Sequence, residues 1–316
     1  MAEQRVIAIF GATGAQGGGL ARAILADPEQ GFSARAITRD PGSPKARALG
    51  RLGAEVVTAD VDDEQSVLRA LEGAYGAFLI TFFWHHLSAA RETAQARRLA
   101  LAARSTGVQH AIWSTLEDTR QWIPLSDQRM PTLRGNYKVP HADGKGEADR
   151  LFSELGVPTT FLLTSFYWES LIHFRLGPRP GADGQLVFSW PMADKKSPGI
   201  ATEDIGRCAL SIFKKGTALV GGTIGIASEH LTGAQMAAAF AGARGREVRH
   251  EAVTPEAFRT LEFLGAEELG NMFRFQQDFE DYVCGARSVD ASRSLNPEMQ
   301  TFALWLDRNK ARFPLR

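Results

Sequence analysis

Three glycines stand at three-residue intervals in Gly11-Ala12-Thr13-Gly14-Ala15-Gln16-Gly17, directly after the apolar run Val6-Ile7-Ala8-Ile9-Phe10 and directly before a stripe begun by Leu20 and Ile24. Glycine tolerates the positive φ of a tight turn and lets backbone N–H groups approach a diphosphate, which then rests on the positive end of a helix dipole. G-x-x-G-x-x-G between a strand and a helix therefore reads as a dinucleotide-binding turn, in preference to a merely flexible one. Two further positions bear on the nucleotide. The stretch Ala36-Ile37-Thr38-Arg39 ends a second strand in a hydroxyl and a guanidinium. A ribose without a 2′-phosphate wants a carboxylate there, whereas a 2′-phosphate wants a cation. Thr38 and Arg39 thus favour NADP(H), against Asp40 next door and against the bland reading of Arg39 as a solvated loop charge. In Thr58-Ala59-Asp60-Val61-Asp62, Asp60 would accept from an adenine amino group, cap the following helix, or do both.

These residues need a sheet to carry them. Continuous apolar runs predict strands at 6–10, 34–38, 55–58, 76–82, 109–113 and 158–163, with helical periodicity near 44–52, 62–72, 88–106 and 142–155. Alternation of this kind implies a Rossmann-type, doubly wound parallel sheet with right-handed crossovers. From about residue 164 the alternation decays into Gly/Pro-rich and aromatic segments, with helical stretches near 233–243 and 298–310. The expected division is a dinucleotide-binding domain over 1–163, its sheet completed by parts of 200–230. A smaller mixed α/β lobe over 164–316 would form the substrate or partner side of a cleft.

The 316 residues balance 36 Lys+Arg against 36 Asp+Glu, so no basic footprint points to direct nucleic-acid binding. Cys208 and Cys284 are the only cysteines and fit neither a disulfide framework nor a zinc site. His85-His86, and His141 with Asp143, lack a third metal ligand placed by spacing. The start, Met1-Ala2-Glu3-Gln4-Arg5, leads into an apolar run too short for a signal-peptide core, and no segment approaches the ~18 apolar residues of a membrane span. The expectation is a cytoplasmic protein.

The run Phe10–Gly18, Thr38-Arg39, Gly53-Ala54-Glu55-Val56-Val57 and Asp60-Val61-Asp62-Asp63 resembles the NmrA-like family of atypical short-chain dehydrogenases. So do His141-Ala142-Asp143-Gly144-Lys145-Gly146-Glu147, Gly156-Val157-Pro158-Thr159-Thr160 and Asn271-Met272-Phe273-Arg274-Phe275, so that the resemblance covers nearly the whole chain. It implies an NADP-binding domain in a family of redox-state sensors that control partner proteins, with some relatives acting as reductases. By position it carries over cofactor contacts at Gly11, Thr13, Gly14, Ala15, Gln16, Gly17, Arg39, Asp60, Val61, Thr81, Phe82, Phe83, Lys145 and Tyr167-Trp168-Glu169-Ser170.

Short-chain dehydrogenases resemble one another in a Tyr-x-x-x-Lys pair that passes the proton accompanying hydride. Tyr75, Tyr137, Tyr167 and Tyr282 are followed four residues on by Leu79, His141, Leu171 and Ala286, so none makes the pair. The lysine position instead reads His141-x-x-x-Lys145. Two functions remain. One is a non-catalytic NADP(H) sensor in which Lys145 bonds the nicotinamide ribose. The other is an NADPH-dependent oxidoreductase of a small hydrophobic carbonyl, enone or quinone, with Lys145 as acid and His141 or Ser114 assisting. Phe82, Phe83, Trp84, Trp113, Phe166, Tyr167 and Trp168 would then line a flat pocket. Asp204 reads as a helix N-terminal acid, Asn271–Phe275 as packing, and 120–140 as an irregular loop near the cofactor that orders on binding.

Overall fold

Val6–Phe10 carries apolar side chains on both faces, which only an interior strand can bury. In the structure, a computed structural model describing residues 4–313, it forms β1 (Arg5–Ile9), with Ile7, Ala8 and Ile9 wholly inaccessible. Met1, Ala2 and Glu3, which entered the reading of the amino terminus, lie outside the described residues. The chain then alternates through α1 (Ala15–Leu25), β2 (Phe32–Thr38), α2 (Pro44–Arg51), β3 (Glu55–Thr58), α3 (Glu64–Leu71), β4 (Gly76–Leu79), α4 (Phe83–His86), α5 (Ala89–Ser105), β5 (His110–Thr115), α6 (Pro140–Glu154) and β6 (Thr159–Leu163). There follow β7 (Phe166–Tyr167), α7 (Glu169–His173), β8 (Arg179–Pro180), β9 (Leu186–Trp190), β10 (Lys196–Ile200), α8 (Thr202–Lys215), β11 (Thr223–Gly225), β12 (Glu229–Thr232), α9 (Gly233–Arg244) and β13 (Val248–Ala252).

Two compact units result. The first, made of residues up to Asp118 with His141–Leu163 and Thr202–Ile224, is built on a seven-stranded sheet in the order β11-β6-β5-β4-β1-β2-β3. Neighbours from β3 to β6 pair in parallel. The winding direction reverses between β1 and β4, and a crevice beyond the carboxyl ends of strands at such a point is where open α/β sheets hold ligands. The apolar run read as a strand over 76–82 leaves the sheet at Leu79, and a short helix, α4, precedes α5. Leu87, at φ +53°, separates the two helices.

The second unit comprises Thr119–Pro140, Thr164–Ala201 and the chain from Gly225 onward. It contains two three-stranded sheets, β12-β10-β7 and β13-β9-β8, over a core that includes Trp168, Phe188, Trp190, Phe240, Phe273 and Trp305. The irregular segment Thr119–Pro140 belongs to this unit and is cinched around one ammonium. Lys138, fully buried, donates to the carbonyls of Leu125 (3.3 Å), Asp127 (2.8 Å) and Met130 (2.7 Å). Asn271 ties the segment down by donating to Pro131 O and Lys138 O at 3.0 and 2.6 Å. Among the described residues no helix is long and apolar enough to cross a membrane.

Candidate functional site

The glycine turn has the backbone its sequence demands. Gly11 sits at φ +67°, a conformation costly for any residue with a Cβ. Gly14 N–H donates to Gly11 O at 2.8 Å and closes the turn. A Cβ on Gly17 would stand 2.6 Å from Gly11 O, so only glycine lets α1 leave this close to β1. The helices α2, α3 and α5 are capped by Ser43, Asp63 and Ser88, whereas α1 begins at Gly14 with no side-chain cap and no acidic residue in its first turn. Its amino end therefore presents the full positive pole of the helix, roughly half a charge, to an arriving anion. Ala15 is exposed, Thr13 is half-buried, and Gln16 is buried and accepts a 2.9 Å hydrogen bond from Ser114 Oγ. Ser114, at the end of β5, thus braces the turn from below.

At the end of β2 the acidic neighbour of Arg39 is turned elsewhere. Asp40 Oδ1 accepts from Gly42 N–H at 2.9 Å, and Thr38 Oγ1 accepts from Asp40 N–H at 3.2 Å. The exposed Arg39 guanidinium meets an imidazole, His85 Nδ1, at 3.2 Å. His85 in turn stacks on Phe82, with centroids 5.3 Å apart and planes 21° from parallel. The Phe82 ring lies over the glycine turn, 3.0 Å from where a Cβ of Gly11 would be and 3.5 Å from that of Gly14. Gly11, Gly14, Phe82, His85 and Arg39 are thereby one contiguous surface. Asp60 is exposed and its carboxylate accepts from Asp62 N–H at 3.0 Å. The cap of α3 is Asp63, not Asp60. Val61 beside it is half-buried.

Lys145 is held from three sides. Its ammonium lies 2.7 Å from Glu92 Oε1 and donates to Thr81 Oγ1 at 2.8 Å, with Thr81 O at 3.4 Å. Thr81 Oγ1 donates to the same Glu92 oxygen at 2.6 Å, and the Trp113 ring sits 5.1 Å beneath the ammonium. Glu92 has no exposed surface. Its second oxygen is 3.5 Å from His86 Nε2, too long for a good hydrogen bond. Burial holds the pKa of His86 below the ordinary imidazole value and outweighs the lift from Glu92. Lys145 is therefore the counterion of Glu92. Beside it, Gly146 lets α6 approach the chain that follows β5, since a Cβ there would fall 2.3 Å from Asp118 N.

One turn further along α6, Asp149 Oδ1 accepts from Thr115 Oγ1 at 2.6 Å and from Trp113 Nε1 at 2.9 Å. Burial pushes its carboxyl up to about 7, against these hydrogen bonds and the nearby Lys145 charge. Neither Glu92 nor Asp149 is marked by a motif. The available signal was position. Glu92 falls on the helical stripe Ala89, Ala96, Leu99 and Ala103, where a carboxylate is out of place unless partnered.

The remaining candidates lie in both units. His141 is buried against Phe83 and Trp84, with ring centroids 6.0 and 5.2 Å away. Phe83 and Trp113 are buried, while Phe82 and Trp84 keep exposed faces. In the second unit, Trp168 packs on Phe302 and Trp305, Tyr167 bonds Thr164 through its hydroxyl, and Glu169 accepts from Trp305 Nε1 at 3.0 Å. Ser170 lies in the first turn of α7. Of the seven aromatics expected to line a pocket, Phe83, Trp113 and Trp168 are buried.

A doubly wound parallel sheet with a glycine-rich turn at its reversal point defines a Rossmann-type α/β protein. The chain belongs to the NmrA-like family, whose model matches residues 3–306. It is 29% identical over 292 residues to the NmrA-like family domain-containing oxidoreductase FrzB of a Cladobotryum species, spanning 86% of this chain and 84% of that protein. Its fold is shared with NmrA, a negative transcriptional regulator, at a TM-score of 0.78 and 23% identity over 96% of this chain and 95% of that one. That regulator has also been solved with NAD and with NADP. An NADPH-dependent quinone oxidoreductase of Escherichia coli matches at a TM-score of 0.70 and 20% identity over 99% and 100% of the two chains.

Proposed function

We propose that the protein binds NADP(H) on the first unit and acts as a sensor of the nicotinamide pool. The observation that carries the reading is Arg39: an exposed guanidinium at the end of β2 whose partner is an imidazole and whose acidic neighbour is folded onto Gly42. A 2′-phosphate would displace the weaker imidazole contact and gain a charge-assisted one. The uncapped start of α1 supplies the diphosphate site and Asp60 an acceptor for the adenine. Complexes of the NmrA regulator with NAD and NADP support a dinucleotide ligand. The sensor role rests on the missing Tyr-x-x-x-Lys pair and on the state of Lys145, whose two short contacts go to Glu92 and Thr81. A sensor further needs a regulatory protein partner that discriminates between bound and empty, or oxidised and reduced, forms.

The oxidoreductase names borne by relatives support a second reading, reduction of a small hydrophobic carbonyl, enone or quinone. NADPH supplies hydride when bound; the chain would contribute the Lys145 ammonium as donor to the developing oxyanion. Calorimetric titration with NADP, NADPH, NAD and NADH, followed by absorbance at 340 nm over a carbonyl and quinone panel, tests both. Tight binding of the phosphorylated pair without turnover is expected. Sustained turnover that Lys145→Ala abolishes would overturn the sensor in favour of the reductase.

A further inference from the structure

We propose that Glu92 is the positioning residue of the ligand site: it aims Lys145, by direct contact and through Thr81, at the ribose of the second nucleoside of the bound dinucleotide. This rests on the dinucleotide reading above and deepens it. The strand order β3-β2-β1-β4-β5 puts the diphosphate turn after β1 and the 2′-phosphate cation after β2, so the adenosine half runs toward β2 and β3. The other nucleoside must then run toward β4 and β5. Thr81 directly follows the β4 exit, Trp113 is on β5, and the Lys145 ammonium is fixed between them.

An ammonium has three donors and no acceptor. Two of the three are spent at short range, on Glu92 Oε1 and Thr81 Oγ1, and Thr81 O lies at 3.4 Å. The third N–H reaches only that 3.4 Å carbonyl, a long contact that a neutral acceptor such as a ribose hydroxyl would displace. Thr81 Oγ1 accepts from the lysine while giving its own hydrogen to Glu92 at 2.6 Å, so the carboxylate fixes which way the hydroxyl's lone pairs face. A flexible four-carbon side chain would otherwise lose rotamer freedom on binding, and the wholly buried carboxylate removes that cost before the ligand arrives.

The test compares NADPH with adenosine 2′,5′-bisphosphate, which keeps the adenine, the 2′-phosphate and one phosphate of the diphosphate but lacks the second nucleoside. Isothermal titration is run on wild type, Glu92→Gln and Thr81→Val. Glu92→Gln should weaken NADPH about tenfold, the worth of one charge-assisted hydrogen bond, and leave the bisphosphate within twofold. Thr81→Val removes no charge and keeps the assay available should Glu92→Gln not fold; it should weaken NADPH roughly threefold, again without touching the bisphosphate. Added to Lys145→Ala, either change should cost nothing more. Equal losses for both ligands would show a structural role and overturn the proposal, as would unchanged NADPH affinity. Failure of wild type to bind either ligand would instead defeat the dinucleotide reading and take this proposal with it.

Discussion

At the end of β2 a guanidinium stands exposed against an imidazole, whereas beyond β4 and β5 an ammonium is shut in with a carboxylate that has no exposed surface. The two cations cost the fold different things. Arg39 keeps its hydration until a ligand displaces it, so its charge is available for recognition and nearly irrelevant to folding. Lys145 and Glu92 were desolvated when the chain folded, and each is tolerable only in the presence of the other. One site can choose its ligand by charge; the other can only present a direction already set.

The largest expected effect breaks the closed pair. Glu92→Ala leaves the Lys145 ammonium, 12% exposed, without its counterion. Removing one partner of a buried pair costs roughly 3–5 kcal/mol. That corresponds to a melting temperature lower by about 10 °C for a chain of this size. Arg39→Ala, by contrast, should stay within about 0.5 kcal/mol of wild type. Parallel thermal melts of the two variants settle the contrast, and similar losses for both would remove it.

Asp149 sharpens it through pH. Burial lifts this carboxyl from its ordinary 3.8 to about 7, so the folded state holds a proton that the unfolded chain releases in between. The resulting stability is fully present below about pH 4 and is lost as pH rises through about 7, at up to ~1.4 kcal/mol per unit. Asp149→Asn keeps an acceptor for Trp113 and Thr115 but has no proton to lose. Urea midpoints should therefore show the variant gaining on wild type by about 2 kcal/mol between pH 5 and 7, levelling off above pH 8. A difference that does not change with pH would mean that this carboxyl titrates as an exposed one.

The same contrast governs how much could be read from the sequence. Strand β3 falls at the limits that its apolar run predicts, and β2 and β6 within two residues, because period and turn chemistry are local. The glycine turn was legible for the same reason, since Gly11 and Gly17 answer to backbone atoms a few positions away. The run 76–82 predicts a longer strand than forms: Ile80, Thr81 and Phe82 would fit a strand, yet they leave the sheet, Phe82 covering Gly11 and Thr81 meeting Glu92. Glu92 and Asp149 carry no local mark because the partners that define them lie far off in the chain, Lys145 for one and Thr115 for the other. In the second unit, strands as short as Phe166–Tyr167 and Arg179–Pro180 owe their existence to tertiary pairing and leave no periodic trace.

At the open end, Arg39→Ala should weaken NADPH by about 10- to 100-fold, the range of one charge-assisted contact, and NADH by no more than about twofold. The loss should shrink at high salt, as expected of an exposed charge acting on a phosphate. Titration of both cofactors at two ionic strengths measures it. Equal losses for NADPH and NADH would move the 2′-phosphate away from this residue and leave the imidazole contact of His85 as its whole function.

The smallest effect belongs to the group joining the two regions. Ser114, the expected assistant of Lys145, gives its hydroxyl at 2.9 Å to Gln16, inside the glycine turn, and it is buried. A brace of this kind is worth about 1 kcal/mol. Ser114→Ala should cost about that much in stability and weaken NADPH and adenosine 2′,5′-bisphosphate alike by only a few-fold, because both lean on the turn. Any reductase turnover should survive it, at a rate within about tenfold of wild type, since a lost brace perturbs ground state and transition state together. A fall in kcat of about a thousandfold with unchanged cofactor affinity would instead return the hydroxyl to the reacting atoms and make the serine catalytic.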